Sequence, residues 1–315
     1  MKTTLLPDKT EFSKKIEAFS VTQAVVGVEL DQSDDDLLAY FHFFASKIPV
    51  SAAFFVHVVP SPEIFNIDEM NENDLNFALG EEMSEGIIKE MERRVENIFK
   101  KTTKAYIEYD VRSGDPLEEI LSDTEELKAD LVVIGQKKKK GWHSILARNL
   151  ARKTKGNALI IPSEAKKIIQ NILVPVDFSP NSIRALQTAL AICKQVEQPA
   201  RVTCLHAYEM PNFNYYRIGK TMDQMEALIE KNLNEAMNAF IHTYAGEDEH
   251  YVKKVLLNRE RPGIAAYITD FAHQNGADFL VMGAKGHSKV ALLLMGSVTE
   301  SVLDSNPEIP VLVVK

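Results

Sequence analysis

Two cysteines and one tryptophan are all that this 315-residue chain carries of those types, and no apolar run nears the length that crosses a bilayer. Cys193 and Cys204 both lie inside apolar stretches, where a thiol behaves as a small hydrophobe. They read as reduced core residues, and the compartment as cytoplasmic. Near the start, Lys2 is followed by two adjacent leucines and then Pro7 and Asp8, too short an apolar segment for a secretory signal. The formal charge of −9 argues against broad attraction to nucleic acid or an anionic membrane.

The common chemical strings are missing as well. There is no G-x4-G-K-[ST], no G-x-G-x-x-G and no H-E-x-x-H. Nothing resembles a nucleophile elbow, a kinase set or a paired-carboxylate hydrolase site. The histidines have no metal-ligand spacing, so a metal site built by the protein alone is not expected.

What is present is a duplication. Ala129-Asp130-Leu131-Val132-Val133-Ile134-Gly135 recurs as Ala277-Asp278-Phe279-Leu280-Val281-Met282-Gly283. Ala24-Val25-Val26-Gly27-Val28-Glu29 aligns with Ile172-Leu173-Val174-Pro175-Val176-Asp177. Each half closes on an apolar run, at residues 158–161 and 310–314. With 45% apolar and 26% charged residues, the chain is long enough for two globular domains. They are expected at residues 1–163 and 168–315, with a polar link between.

Within the second copy, residues 172–176 read as a strand buried on both faces. Ser179 and Pro180 then supply an N-cap and a first-turn proline, with Ile183, Leu186, Leu190 and Cys193 at helical spacing. Strands follow at 201–207, 252–257, 279–283 and 311–314. Helices are expected from Met222 to Phe240, from Pro262 onward, and over 298–303. In the first copy Ser33 and the acids after it start a helix. The order β-α-β-α-β-α-β-α-β implies an α/β fold: two tandem Rossmann-like domains, each a five-stranded parallel sheet with helices on both faces.

In such sheets ligands sit beyond the carboxyl ends of the strands, where strand order reverses. The fourth strand of the second copy runs into Gly283-Ala284-Lys285-Gly286, then nine residues, then Gly296-Ser297-Val298-Thr299. Gly283 and Gly286 allow a tight turn and a close approach to a ligand. Gly296 and Ser297 open the fourth helix, whose unpaired amides make an anion site. The Ser297 hydroxyl suits either a phosphate oxygen or a helix cap. Asp177 ends the first strand.

These residues resemble the universal stress protein family in its tandem form. The resemblance covers nearly the whole chain and rests on G-x2-G-x9-G-[ST], met by Gly283, Gly286, Gly296 and Ser297, and on Val174-Pro175-Val176-Asp177-Phe178-Ser179 and Leu205-His206-Ala207. It implies that Asp177 meets a ribose and that Pro175 and Ala207 lie near an adenine. The glycine loop, Ser297 and Val298 would hold the phosphates of ATP, with Mg or Mn bound through them. His287, inside the loop, reads as solvated or as a further phosphate contact. His206 reads as a packed histidine.

The first copy departs from the motif: Lys138 stands where Gly286 would be, no Gly-Ser pair follows, and Glu29 replaces the aspartate. It reads as a degenerate copy kept for pairing, and residues 137–140 as a solvated basic loop. The last strands of the copies are candidates to pair within the chain, leaving a homodimer optional. The expected function is an adenine-nucleotide-binding stress-response switch with an unknown regulatory protein partner. The alternatives are a slow ATP hydrolase and a nucleotide-free scaffold.

Overall fold

Short β-branched runs bounded by proline and polar residues make the strands of both copies, and amphipathic helices cover them. The structure, a computed structural model, describes residues 15–60, 81–99, 105–137, 142–197, 199–210, 222–259, 263–286, 295–306 and 308–315. It contains two compact units. One comprises residues 20–167 with 307–311, the other 168–306 with 312–315 and the N-terminal segment.

The first unit contains β1 (Val21–Gly27), α1 (Ser33–Lys47), β2 (Val50–Val59), α2 (Glu81–Phe99), β3 (Tyr106–Ser113), α3 (Pro116–Glu126), β4 (Leu131–Gln136), α4 (Trp142–Lys153) and β5 (Asn157–Pro162). The second contains β6 (Asn171–Pro175), α5 (Pro180–Gln195), β7 (Arg201–Tyr208), α6 (Met222–Ala245), β8 (Val252–Asn258), α7 (Ile264–Gln274), β9 (Phe279–Gly283), α8 (Ser297–Ser305) and β10 (Val311–Val314). Within the first unit the strands lie in the order β3-β2-β1-β4-β5, and within the second β8-β7-β6-β9-β10. The two orders are the same once the copies are aligned. In each, the first strand has the second on one side and the fourth on the other, paired in parallel.

Helices occupy both faces of each sheet, as the alternation of strand and helix requires. In the second unit α5 packs on β6, β9 and α6, while α7 packs on α8 and β7. Residues 172–174 of β6 and 279–282 of β9 are buried, and burial is partial at the carboxyl ends, Pro175 and Gly283. The cores differ in character. Phe41, Phe55 and Phe99 meet edge to face or tilted in the first unit, and Phe178, Phe240 and Tyr244 form a smaller cluster in the second.

An aspartate repeated in both copies anchors the start of the first strand. Asp130 accepts from the N–H groups of Thr22 and Gln23, and Asp278 from those of Gln170 and Asn171. These are the acids of the two Ala-Asp strings that revealed the duplication.

Ser179 caps α5 by accepting from Ser182 N–H, with Pro180 in the first turn, as the sequence indicates. The third helix of this unit starts at Ile264 behind Gly263, whose φ of 102° places it in the left-handed region; Pro262 lies outside the described residues. At α1 the acids behave differently from a simple dipole argument. Asp35 and Asp36 sit in the first turn, but Asp34 turns back to accept from Glu29 and Leu30 N–H.

The segment before β1 belongs with the second unit. Phe19 N–H donates to Gln195 Oε1 and the Gln195 amide donates to Phe19 O, both at 2.9 Å. Cys193 and Cys204 are buried. Burial raises the Cys193 thiol to about 11 and pushes that of Cys204 up further, so both stay protonated and inert at neutral pH.

Asp115 shows what a cap is worth here, because its side chain accepts from both Leu117 and Glu118 N–H at the start of α3. Asp115→Ala is expected to cost about 1 kcal/mol, seen as a lower urea midpoint for the first unit. An unchanged midpoint would refute it.

Candidate nucleotide site

Strand order reverses at β6 in the second unit, and the crevice at the carboxyl ends of β6, β7 and β9 opens into a cavity of about 250 Å³. Pro175, Asp177, Ala207, Gly283, Gly286, Gly296, Ser297 and Val298 all line it. His287 lies outside the described residues. Val176, Ser182, Leu205, Ile264, Ile268, Met282, Lys285 and Thr299 line it as well. Ser182, Ile264 and Ile268 stand outside the motif strings read from sequence, the two isoleucines because they come from α7, which no motif string reaches.

The wall divides by chemistry. Pro175, Leu205, Ala207, Ile264, Ile268 and Met282 make an apolar end. At the other end stand the start of α8 and the β9 loop. Gly296 N–H donates to Ala284 O at 2.7 Å, and Thr299 Oγ1 donates to Gly283 O at 2.9 Å. These two bonds fix the helix start against the end of β9. The next amides, of Ser297 and Val298, begin a helix and have no intrahelical acceptor. No side chain caps this end of the helix, so of the two uses open to Ser297 capping is not the one seen; its hydroxyl is exposed on the cavity wall.

Positive charge gathers at the same end. Lys285 lines the cavity. Burial and the like charge of Lys285 lower the Lys315 ammonium to about 8, so Lys315 titrates unusually near neutrality. A lysine and a helix N-terminus make this end receptive to an anion.

The two loop glycines are needed for different reasons. A side chain at Gly283 would strike the Asn181 backbone at 2.8 Å, so this glycine lets the first turn of α5 close on β9. A side chain at Gly286 would run into Asp177 Oδ2. That glycine keeps the strand-end carboxylate and the loop backbone in direct proximity.

His206 also lines the cavity, and its ring is tied down. Nδ1 lies 2.8 Å from Val176 O, which can only accept, so Nδ1 carries the proton. The ring sits 4.6 Å from that of Phe178. Burial lowers its pKa, against the backbone bond and the charge of Asp177. The packed reading of His206 therefore describes its ring. In the first unit His57 makes the same contact, 2.9 Å from Val28 O.

Beside the aligned strand ends the first unit has a much smaller cavity among the described residues. This cavity is about 10 Å³, lined among others by Gly27, Glu29, Asp34, Ile134, Gly135 and Lys137. These align with Pro175, Asp177, Ser182, Met282, Gly283 and Lys285. The Ile134 and Ile120 methyls lie 2.8 and 3.2 Å from where a Gly27 side chain would begin. Lys137 is not the solvated loop residue its neighbours suggested. Its Nζ lies 2.6 Å from Glu29 Oε2 and 2.7 Å from Asp31 Oδ2. Burial works against the charge of Asp31, but bonds from Lys137 and Ser33 outweigh it and hold the carboxyl at about 2. Lys138 lies outside the described residues.

A doubly wound parallel α/β unit with a cavity at its switch point is a Rossmann-like domain. Residues 169–315, which make up the second domain, match the model of the universal stress protein family. The chain is 28% identical over 150 residues to universal stress protein MJ0531 of Methanocaldococcus jannaschii, which spans 48% of this chain and 84% of that protein. A universal stress protein of Archaeoglobus fulgidus has the same fold at 17% identity, with a TM-score of 0.62 over 96% of this chain and 98% of that one. So does a functionally unknown protein of Pseudomonas aeruginosa, at 14% identity and TM-score 0.60 over 94% and 92%. Among the described residues no helix is long and apolar enough to cross a membrane.

The crevice of the first unit carries a pH signature. Burial raises the Asp34 carboxyl from 3.8 to about 6; N–H bonds from Glu29 and Leu30 oppose this, and the charges of Asp31 and Glu29 add to it. A carboxyl with a raised folded pKa stabilises the fold fully below its unfolded pKa and loses that contribution as pH rises through the folded value. Wild type should therefore lose about 2–3 kcal/mol relative to Asp34→Asn between pH 4 and 7. Urea unfolding at a series of pH values measures the difference; a flat one would contradict the assignment.

Proposed function

We propose that the second domain binds ATP with a divalent ion and works as a nucleotide-responsive regulatory module. The observation that carries this reading is the facing pair within one cavity: the Asp177 carboxylate beside Gly286, and the first-turn amides of α8. The apolar end suits a flat base. The carboxylate suits ribose hydroxyls, which need an acceptor. The helix start and Lys285 suit a polyphosphate.

Asp177 is the one carboxylate on the described wall, and no group of three or more metal-ligating side chains occurs among the described residues. A divalent ion would then be held mainly through the phosphates, with Asp177 assigned to the sugar. When bound, such an ion neutralises phosphate charge. The small cavity of the first domain, where Lys137 pairs with Glu29 and Asp31, supports one site per chain.

Regulation follows from linkage. A ligand that binds one arrangement of a loop favours that arrangement by its differential affinity, and residues 283–299 contribute to the cavity from both ends. Occupancy would thereby alter a surface presented to a protein partner.

Isothermal titration with ATP, ADP and AMP in the presence of magnesium is expected to show saturable binding of one ATP per chain. Gly296→Val should weaken it by about 100-fold or more, since β-branched bulk blocks two amides to a charged ligand. Titration without heat or saturation would favour the scaffold. Steady phosphate release above the Gly296→Val background would favour the hydrolase.

A further inference from the structure

Asp177 alone does not decide which way its carboxylate faces; its neighbour five residues on does. Ser182 lies in the first turn of α5, 5% exposed, and lines the cavity. Its hydroxyl oxygen accepts from Asp177 N–H at 3.0 Å and donates its proton to Asp177 Oδ1 at 2.6 Å. Ser179 N–H donates to the same Oδ1 at 3.1 Å. Two donors thus hold Oδ1 toward the protein, and Oδ2 is the oxygen beside Gly286.

We propose that Ser182 is a positioning residue for the ribose, setting sugar selectivity by fixing Asp177 Oδ2 toward the cavity. The inference rests on the reading of Asp177 as the sugar's acceptor and names what makes that acceptor directional. A hydroxyl is suited to this work because it accepts and donates at once. It holds the Asp177 backbone and side chain with one atom.

The first domain carries the opposite arrangement at the same positions. Asp34 stands where Ser182 does, and Glu29 where Asp177 does. Asp34 accepts from Glu29 N–H at 3.1 Å and Leu30 N–H at 2.6 Å. An ionised carboxylate has no proton to give to a second one. The Glu29 side chain is accordingly found on Lys137. The backbone of the two loops is otherwise alike: Leu30 and Phe178 occupy equivalent places with φ of 63° and 64°. One loop with two neighbours gives two directions for the acid, and the residue five positions on distinguishes them.

The test compares ATP with its 2′-deoxy and 3′-deoxy analogues by titration on the full chain. Wild type is expected to prefer ATP over the weaker analogue by about tenfold or more, as befits a hydrogen bond to a charged acceptor. In Ser182→Ala this ratio should fall to about two- to threefold, while the thermal midpoint stays within a few degrees. The isosteric pair Ser182→Thr and Ser182→Val supplies a second measurement should the alanine variant fail to fold: threonine should keep the preference and valine lose it. A merely structural serine would weaken all three nucleotides alike and leave the ratio intact, which overturns the proposal, as does equal loss in threonine and valine. Wild-type ATP binding with no preference among the three sinks the ribose reading of Asp177, and this inference with it. Absence of any ATP binding sinks the nucleotide reading itself.

Discussion

A carboxylate at the end of the first strand must put its charge somewhere, and the rest of each crevice follows from where it goes. It sits at the switch point of a parallel sheet, beside backbone in a strained left-handed turn at Leu30 or Phe178. In the second domain one carboxylate oxygen accepts from Ser182 and Ser179, with the other beside the Gly286 backbone. In the first it is met by a lysine from the β4 loop. The acid held by serines lines the larger cavity, and the acid paired with Lys137 lines the smaller one.

The fold was largely legible because its signals are local and repeated. Buried strands show as short apolar runs, Ser179-Pro180 marks a helix start, and the Ala-Asp strings place the fourth strand of each copy. Element ends differ by one residue at β6, where Val176 leaves the strand yet still donates to Leu205 O, and by five at α6, which runs on to Ala245. The glycine loop and Asp177 could be read from spacing along the chain. Ile264 and Ile268 could not, because α7 reaches the cavity only through the sheet's topology. Ser182 was missed for another reason: a serine in a first helical turn looks like an ordinary cap, and its bond to Asp177 requires the folded loop. Lys137, in a run of four lysines, looked solvated because the sequence does not show that Glu29 and Asp31 converge on it.

The glycines teach a related lesson. All the motif glycines look alike in sequence, and each can be credited with admitting a ligand. The structure separates them. Gly283 is excluded from having a side chain by the Asn181 backbone, so it serves helix-to-strand packing. Gly286 is excluded by Asp177 itself. Gly296 has extended backbone, with its nearest would-be side-chain contact at 3.4 Å. Any residue can adopt that backbone, so bulk there threatens the space in front of the amides rather than the turn.

The two crevices also differ in their energetic consequences. In the first domain Lys137 pairs with Glu29 and Asp31 beside the strand ends, so the acid is met from within the fold. The second domain keeps about 250 Å³ lined by an apolar end, a carboxylate and helix amides. A ligand bound there stabilises the fold by RT ln(1 + [L]/Kd). On the proposed reading the two copies of one fold would differ in this respect: a change in nucleotide concentration would act through the cavity of the second.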